Sequence, residues 1–232
     1  MGGCSPSKSS AAVPEEKNAK HGWEGEWRSM EAQGELFPPP RSMHTACVVE
    51  GSLFVFGGEE GDFGTMPRDL WRFSLRTSKW ELVTLNPVSE QPPGRKQHTM
   101  FAIGRALYLF GGSYGRVGGT AGFHGDTWVF DITKVVWRNL TPKPNGGSQG
   151  MESASDTPCG RRAHSCDVWD KHGYVFGGEG DKGVCGDLWR FEVNPDLHPR
   201  RCTVDFGMGI VQESREAWWT HVGGADSGPV PR

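Results

Sequence analysis

An internal repeat, present three times along the chain, constrains the fold more than any other feature. The blocks "PPPRSMHTACVVEGSLFVFGG" (38–58), "PPGRKQHTMFAIGRALYLFGG" (92–112) and "PCGRRAHSCDVWDKHGYVFGG" (158–178) align position for position. Each contains Arg, two residues, His, an alternating stretch, a short turn and an apolar run that ends in Phe-Gly-Gly. A repeat of this length indicates one structural unit that is built several times and stacked on its neighbours.

A second signature follows each block. In "RDLWRF", "GDTWVF" and "GDLWRF" an Asp lies two residues before a Trp and four before a Phe. Another Trp follows nine residues later at Trp80 and Trp137, and Trp218 and Trp219 take that place after an insertion in the third repeat. We therefore predict four strands per repeat: strand a from the His, strand b ending at Gly-Gly, strand c through the first Trp and strand d at the second.

Composition agrees with an all-β chain. The 232 residues include 34 Gly, 16 Pro and 10 Trp, and no stretch has a long helical period. Strand b is apolar on both faces, which predicts burial within a stack of sheets, with the aromatic residues of strands c and d packing between them. The Gly pair predicts a sharp turn with positive φ in a crowded place.

These residues carry a family resemblance: the chain resembles kelch repeats, in particular the Arg-x-x-His variety seen in Rab effectors with kelch motifs and in host cell factor. The resemblance covers about residues 23–232. It implies an all-β, incomplete kelch β-propeller with three full four-stranded blades and one N-terminal outer strand at Trp27. The blades are expected at about residues 41–83, 95–140 and 161–222.

The last residues resemble the start of another repeat. "GPVPR" at the C-terminus matches "FPPPR" before His44 and "QPPGR" before His98. Arg232 therefore takes the position of the Arg in the Arg-x-x-His motif. We therefore expect a fragment of a longer kelch protein. The alternatives are a short protein whose open half pairs with a second copy, and a non-functional truncated product.

Loop lengths indicate where a partner would bind. The b–c and d–a loops fall on one face, here called the long-loop face, and variable loops on a rigid scaffold commonly carry recognition. The candidate partner-binding residues are Arg41, His44, Arg95, His98, Tyr114, Arg116, Arg161, His164, Glu59 and Asp181. The repeated Arg and His residues form either a basic rim for an acidic partner or a scaffold that joins adjacent blades. The predicted function is an adaptor or scaffold for a protein partner whose identity the sequence does not give.

Other classes of function find little support. A net charge of -3 without a basic stripe argues against nucleic acid. Six cysteines in a chain without a secretory signal predict reduced thiols. The absence of a paired C-x-x-C argues against a metal site, and no cofactor is expected. The sequence contains no Ser-His-Asp context, no phosphate-binding loop and no paired carboxylates, so catalysis is not predicted. The alternative is a metal-dependent kelch lyase or oxidase, but Tyr108 and Tyr174 lie in b strands, and Glu213, Glu216 and His221 lack the expected pattern.

The N-terminal residues 1–22 are polar and rich in small side chains, which predicts a disordered tail. No membrane-length apolar run or signal-peptide core is present, so we expect a cytoplasmic protein. Gly2 is positioned to accept myristate and Cys4 to accept palmitate, which together would anchor the chain to a membrane surface. The usual motif has Ser or Thr at residue 6, where this chain has Pro6. The alternative is a tail without lipid.

Metabolic labelling tests the lipid prediction. In cells that express the full chain with an alkyne analogue of myristate, we expect label on the wild type and none on Gly2→Ala, because the acyl chain is attached to an N-terminal Gly. An unlabelled wild-type protein, or equal label on both proteins, would contradict the prediction.

Overall fold

The computed structural model describes residues 26–61, 64–117, 120–141, 157–194 and 217–225. The chain divides into two units, Met1–Glu31 and Ala32–Arg232. In the described part of the first unit, Arg28 pairs with Glu26 and the Trp27 side chain is fully exposed. All strands of the described residues belong to the second unit. Among the described residues there is no helix of the length and apolar character needed to cross a membrane.

Each repeat forms one four-stranded antiparallel sheet, a blade, with the strand order a-b-c-d that the sequence predicted. The first blade contains β2 (Thr45–Val49), β3 (Ser52–Phe56), β5 (Leu70–Ser74) and β6 (Lys79–Leu82). The second contains β7 (Thr99–Ile103), β8 (Ala106–Phe110), β11 (Thr127–Asp131) and β12 (Val136–Asn139). The third contains β14 (Ser165–Trp169), β15 (His172–Phe176), β18 (Gly186–Val193) and β19 (Ala217–Ala225).

The long-loop face has short strands of its own, which the repeat pattern did not predict. They pair antiparallel within each blade, so backbone hydrogen bonds hold the loops together. The pairs are β1 (Arg41–Ser42) with β4 (Glu59–Glu60), β9 (Ser113–Val117) with β10 (Thr120–Phe123), and β13 (Arg161–Arg162) with β16 (Glu179–Gly180), which also pairs with β17 (Gly183–Val184).

The predicted outer strand at Trp27 is not formed in the described residues. Residues 26–40 contain no strand and make one isolated parallel bridge, from Gln33 to Lys79 of β6. A d strand takes its hydrogen bonds from the c strand of the same blade. No additional c strand lies among the described residues, so this segment has no such edge to pair with.

The core lies between the blades. The ring centres of Phe56 in β3 and Trp137 in the second blade are 5.4 Å apart, and those of Trp137 and Phe130, on the same blade, are 5.1 Å apart. The second junction repeats this arrangement, with Phe110 4.9 Å from Trp219. In the second and third blades, strand d therefore carries a Trp that packs against the preceding blade. This confirms that the aromatic residues of strand d pack between neighbouring sheets.

The Gly-Gly turns are required by the close approach of the next blade. Gly111 and Gly112 have φ of 68° and 98°, as the sequence predicted. A Cβ atom on Gly111 would lie 2.7 Å from the Arg161 carbonyl oxygen and 2.8 Å from the His164 ring. Both the backbone conformation and the available space therefore exclude larger residues.

The third blade has an exposed face, and the equivalent face of each of the first two blades is covered by the blade that follows it. Phe56 and Phe110 are fully buried against the following blade, whereas Phe176, at the equivalent position, is 54% exposed. At the opposite end, His44 of the first blade is exposed, while His98 and His164 are buried. Only two of these inter-blade junctions are present among the described residues.

The inter-blade core predicts how two tryptophans differ in their effect on stability. Trp137→Ala should lower the free energy of unfolding by roughly 3–5 kcal/mol, because it empties a fully enclosed site between two blades. The matched control is Trp169→Ala, since Trp169 is 71% exposed and should cost much less. Urea denaturation followed by circular dichroism measures both, and equal losses would contradict this account of the core.

Candidate protein-binding face

A buried arginine joins three strand ends within each blade. In the second blade, Arg95 donates to the Gly111 carbonyl at 2.9 Å and makes two hydrogen bonds to the Asp126 carboxylate, at 2.6 and 2.8 Å. The carboxylate also accepts the Trp128 indole N–H at 2.6 Å. The same arrangement recurs as Arg41–Asp69–Trp71 and Arg161–Asp187–Trp189.

These ion pairs belong to the scaffold. The side chains of Arg95 and Arg161 have no exposed surface, and hydrogen bonds from Arg161 lower the pKa of Asp187 to about 2. Removal of one member would leave a buried charge without its partner, at a cost of roughly 3–5 kcal/mol. The recurrence of Arg and Asp once in each repeat was the signal for this pairing, which the sequence analysis did not use.

The histidines join neighbouring blades. His98 Nε2 lies 2.8 Å from Thr45 Oγ1 of the first blade, and His164 Nε2 lies 2.8 Å from Thr99 Oγ1 of the second. Burial and the nearby Arg95 charge lower the pKa of His98 well below its ordinary value. Burial and the Arg161 charge lower the pKa of His164 to about 4. Both rings are therefore neutral at pH 7.

This geometry separates the predicted site residues into two groups. Arg95, His98, Arg161 and His164 are buried, so a basic rim for an acidic partner cannot be built from their side chains. The scaffold alternative describes them better, with one correction: the arginine side chains bond within their own blade, whereas the histidine side chains and the backbone carbonyls of Arg95 and Arg161 bond to the preceding blade. Arg41 is also largely buried, which leaves His44 as the exposed member of the set.

Exposed and half-buried aromatic and basic side chains contribute to the long-loop face. Tyr114 is 42% exposed and packs edge-on against His124 at 4.9 Å. The Arg162 guanidinium of the third blade lies 5.4 Å from the centre of the Phe123 ring, which belongs to the second blade. Burial, followed by the Arg95 charge, lowers the pKa of His124 to about 4. Arg116 lies in β9, beside Tyr114 along the chain.

The acidic loop tips are largely paired with neighbouring cations. Glu59 bonds to Lys96 of the next blade, and Glu179 accepts two hydrogen bonds from Arg162 at 2.8 and 3.0 Å. Asp181 is exposed at the tip of the third b–c loop. Because most of these carboxylates have partners within the face, a strongly basic partner is not indicated.

Several predicted residues lie outside the described ranges. They are Gly2 and Cys4 of the lipidation prediction, Glu213 and Glu216 of the enzyme alternative, and most of loops 141–160 and 194–216. His221 is described and packs 5.0 Å from Trp189. Within the described ranges, no three His, Cys, Asp or Glu side chains come together as a metal site would require.

Three stacked four-stranded blades, each with an Arg-x-x-His motif at the start of strand a, define a kelch-type propeller, and comparison with known proteins agrees. The chain belongs to the kelch-repeat family: the KLHDC2/KLHL20/DRC7 kelch-repeats domain model matches residues 21–152. The chain is 31% identical over 171 residues to N-(sulfonatooxy)prop-2-enimidothioate sulfolyase of Thlaspi arvense. It is 30% identical over 192 residues to the leucine-zipper-like transcriptional regulator 1 homolog of Drosophila melanogaster, and 29% over 168 residues to kelch domain-containing protein 3 of Homo sapiens.

These alignments cover most of the chain but less than half of each relative. They include 73%, 79% and 68% of the chain, in the order given above. The same alignments span 44%, 18% and 40% of the relatives' own lengths. The relatives therefore support the repeat fold over the region they share with this chain.

The neutral inter-blade histidines predict a loss of stability in acid. His164 has a pKa of about 4 when folded and 6.5 as its ordinary value, so the unfolded chain binds the proton more tightly. Its stabilising contribution is complete above about pH 6.5 and falls as the pH drops towards 4, by up to about 1.4 kcal/mol per pH unit.

Urea denaturation between pH 7 and pH 5 measures this dependence, above the range in which protonation of the paired aspartates in the unfolded chain lowers stability. His164→Gln should flatten the decline in the free energy of unfolding, whereas the control His44→Gln, at an exposed ring of the same repeat position, should leave it unchanged. Identical pH profiles for wild type and His164→Gln would contradict the attribution of this acid sensitivity to His164.

Proposed function

We propose that this chain is a protein-binding module that acts as an adaptor or scaffold and engages a partner protein through its long-loop face. The arrangement of Tyr114 beside His124, with Arg162 over Phe123, is the observation that carries the proposal. Tyr and Arg are enriched at the residues that dominate protein–protein binding energy, and aromatic rings provide apolar area with little loss of side-chain freedom.

The construction of the face supports this proposal. Lys96 of the second blade bonds to Glu59 of the first, and Arg162 of the third contacts Phe123 of the second. The β9–β10 hairpin and the other short strand pairs further restrict the loops. A surface that is ordered before binding loses less conformational entropy when a partner arrives.

We propose binding rather than catalysis for this chain. The lyase activity in the name of the Thlaspi arvense relative describes that protein, which is more than twice as long as the aligned region. In support of this, the side chains of Arg95, Arg161, His98 and His164 are engaged in hydrogen bonds that hold the blades together. Acylation at Gly2 and Cys4 would place the module at a membrane surface.

Comparative affinity capture tests the proposed face. The tagged full chain is expressed in cells of its own source, and captured proteins are quantified by mass spectrometry for wild type, Tyr114→Ala/Arg162→Ala and a control, Arg76→Ala/Arg105→Ala. The control removes two exposed cations from turns on the opposite face. We expect the long-loop variant to lose at least about tenfold of one or more captured proteins, as truncation of two central contact residues does, and the control to retain them.

Equal capture by all three proteins would overturn the assignment of this face, and loss only in the control would assign binding to the opposite face. Circular dichroism of each purified variant verifies that the blades remain folded.

A further inference from the structure

Two cysteines of the third blade lie side by side on the long-loop face. Cys159 precedes β13 and is exposed, whereas Cys185 lies between β17 and β18 and is buried. Their sulfur atoms are 3.9 Å apart. The sulfurs of a disulfide are about 2 Å apart, so the two thiols need to approach by about 2 Å for a bond to form.

The repeat does not require either thiol. Cys159 takes the position of Pro39 and Pro93, and in all three blades the carbonyl at this position accepts the Nε–H of the arginine two residues later, at 3.1 to 3.3 Å. Cys185 lies two residues before Asp187, where the other blades have Pro67 and His124. Both positions therefore work without sulfur in the first two blades, and both carry cysteine in the third.

The surroundings give the two sulfurs different properties. Arg161 Nη2 donates a hydrogen bond to Cys159 Sγ at 3.3 Å, and a cationic donor stabilises the thiolate, which is the reactive form of cysteine. Burial raises the pKa of Cys185 to about 11, so that thiol keeps its proton at pH 7. An exposed nucleophilic sulfur thus lies next to a protonated second thiol, the arrangement needed for a stepwise oxidation.

We propose that Cys159 and Cys185 form a peroxide-reactive dithiol site whose oxidising substrate is a hydroperoxide, ROOH. The Cys159 thiolate attacks the terminal oxygen, the O–O bond breaks, and the alkoxide leaves and takes a proton to give ROH. Cys159 is thereby oxidised by two electrons to a sulfenic acid. The Cys185 sulfur then attacks the Cys159 sulfur, and the S–O bond breaks. The hydroxide that leaves takes the Cys185 proton as water. Overall, two thiols and ROOH give a disulfide, ROH and water.

The resulting bond would link the loop before strand a to the loop before strand c in the third blade. The segment between Cys159 and Cys185 contains β13, β14, β15, β16 and β17. The bond would also turn the sulfur that accepts the Arg161 hydrogen bond into part of a disulfide. This site stands independently of the proposed partner binding.

Peptide mapping of the full chain tests the site. The reduced protein is treated with tert-butyl hydroperoxide in slight excess, alkylated and digested without reductant. We expect a Cys159–Cys185 disulfide peptide as the main oxidised product, and its disappearance after dithiothreitol. Cys185→Ser should accumulate sulfenic acid on Cys159, which dimedone traps. Total dimedone labelling of Cys159→Ser should be at least about tenfold lower than that of Cys185→Ser, because the sulfur that accepts the Arg161 hydrogen bond is gone.

The matched control is Cys47→Ser, which removes a half-buried cysteine of the first blade and should leave the disulfide yield unchanged. Three results would overturn the proposal: no Cys159–Cys185 peptide, equal yields of disulfides that involve other cysteines, or dimedone label on Cys185 in Cys159→Ser together with no label on Cys159 in Cys185→Ser.

Discussion

The buried ion pair between arginine and aspartate at one end of each blade is the interaction on which the rest of the structure depends. A guanidinium without exposed surface, such as that of Arg95, is tolerated only when its donors are matched, and the Asp126 carboxylate and the Gly111 carbonyl match them. The pair therefore brings the start of strand a, the end of strand b and the start of strand c to one point. The short loop strands continue directly from these ends, so the position of the long-loop face follows from the ion pairs.

The two parts of the Arg-x-x-His motif have separate tasks. Arg161 closes its own blade, while His164, three residues later, reaches Thr99 of the preceding blade. The positive charge of the arginine helps to keep the histidine neutral, which suits a ring buried beside a threonine hydroxyl. The arginine that closes a blade thus also favours the neutral form of the histidine that joins this blade to its neighbour.

Most of the scaffold could be predicted from the sequence, because its determinants are local and repeated. Strand order, the Gly-Gly turns and the packing role of Trp137 all follow from patterns within about forty residues. The pairing of Arg95 with Asp126, the hairpin that presents Tyr114 and the proximity of Cys159 to Cys185 depend on how separate loops meet, and alternation of apolar residues carries no information about that. The outer strand at Trp27 was mispredicted for a related reason: its Trp spacing matched strand d, but a strand also needs an edge to pair with.

The second blade shows what the recurring junction permits. Its His98 ring bonds to Thr45 of the blade before it, and its Thr99 hydroxyl bonds to His164 of the blade after it. The distance from Nε2 to Oγ1 is 2.8 Å in both contacts. A duplicate of this blade placed between the second and third would therefore find a matching hydroxyl on one side and a matching imidazole on the other. For this pair of contacts, the junction specifies which residues face each other but not how many blades follow one another.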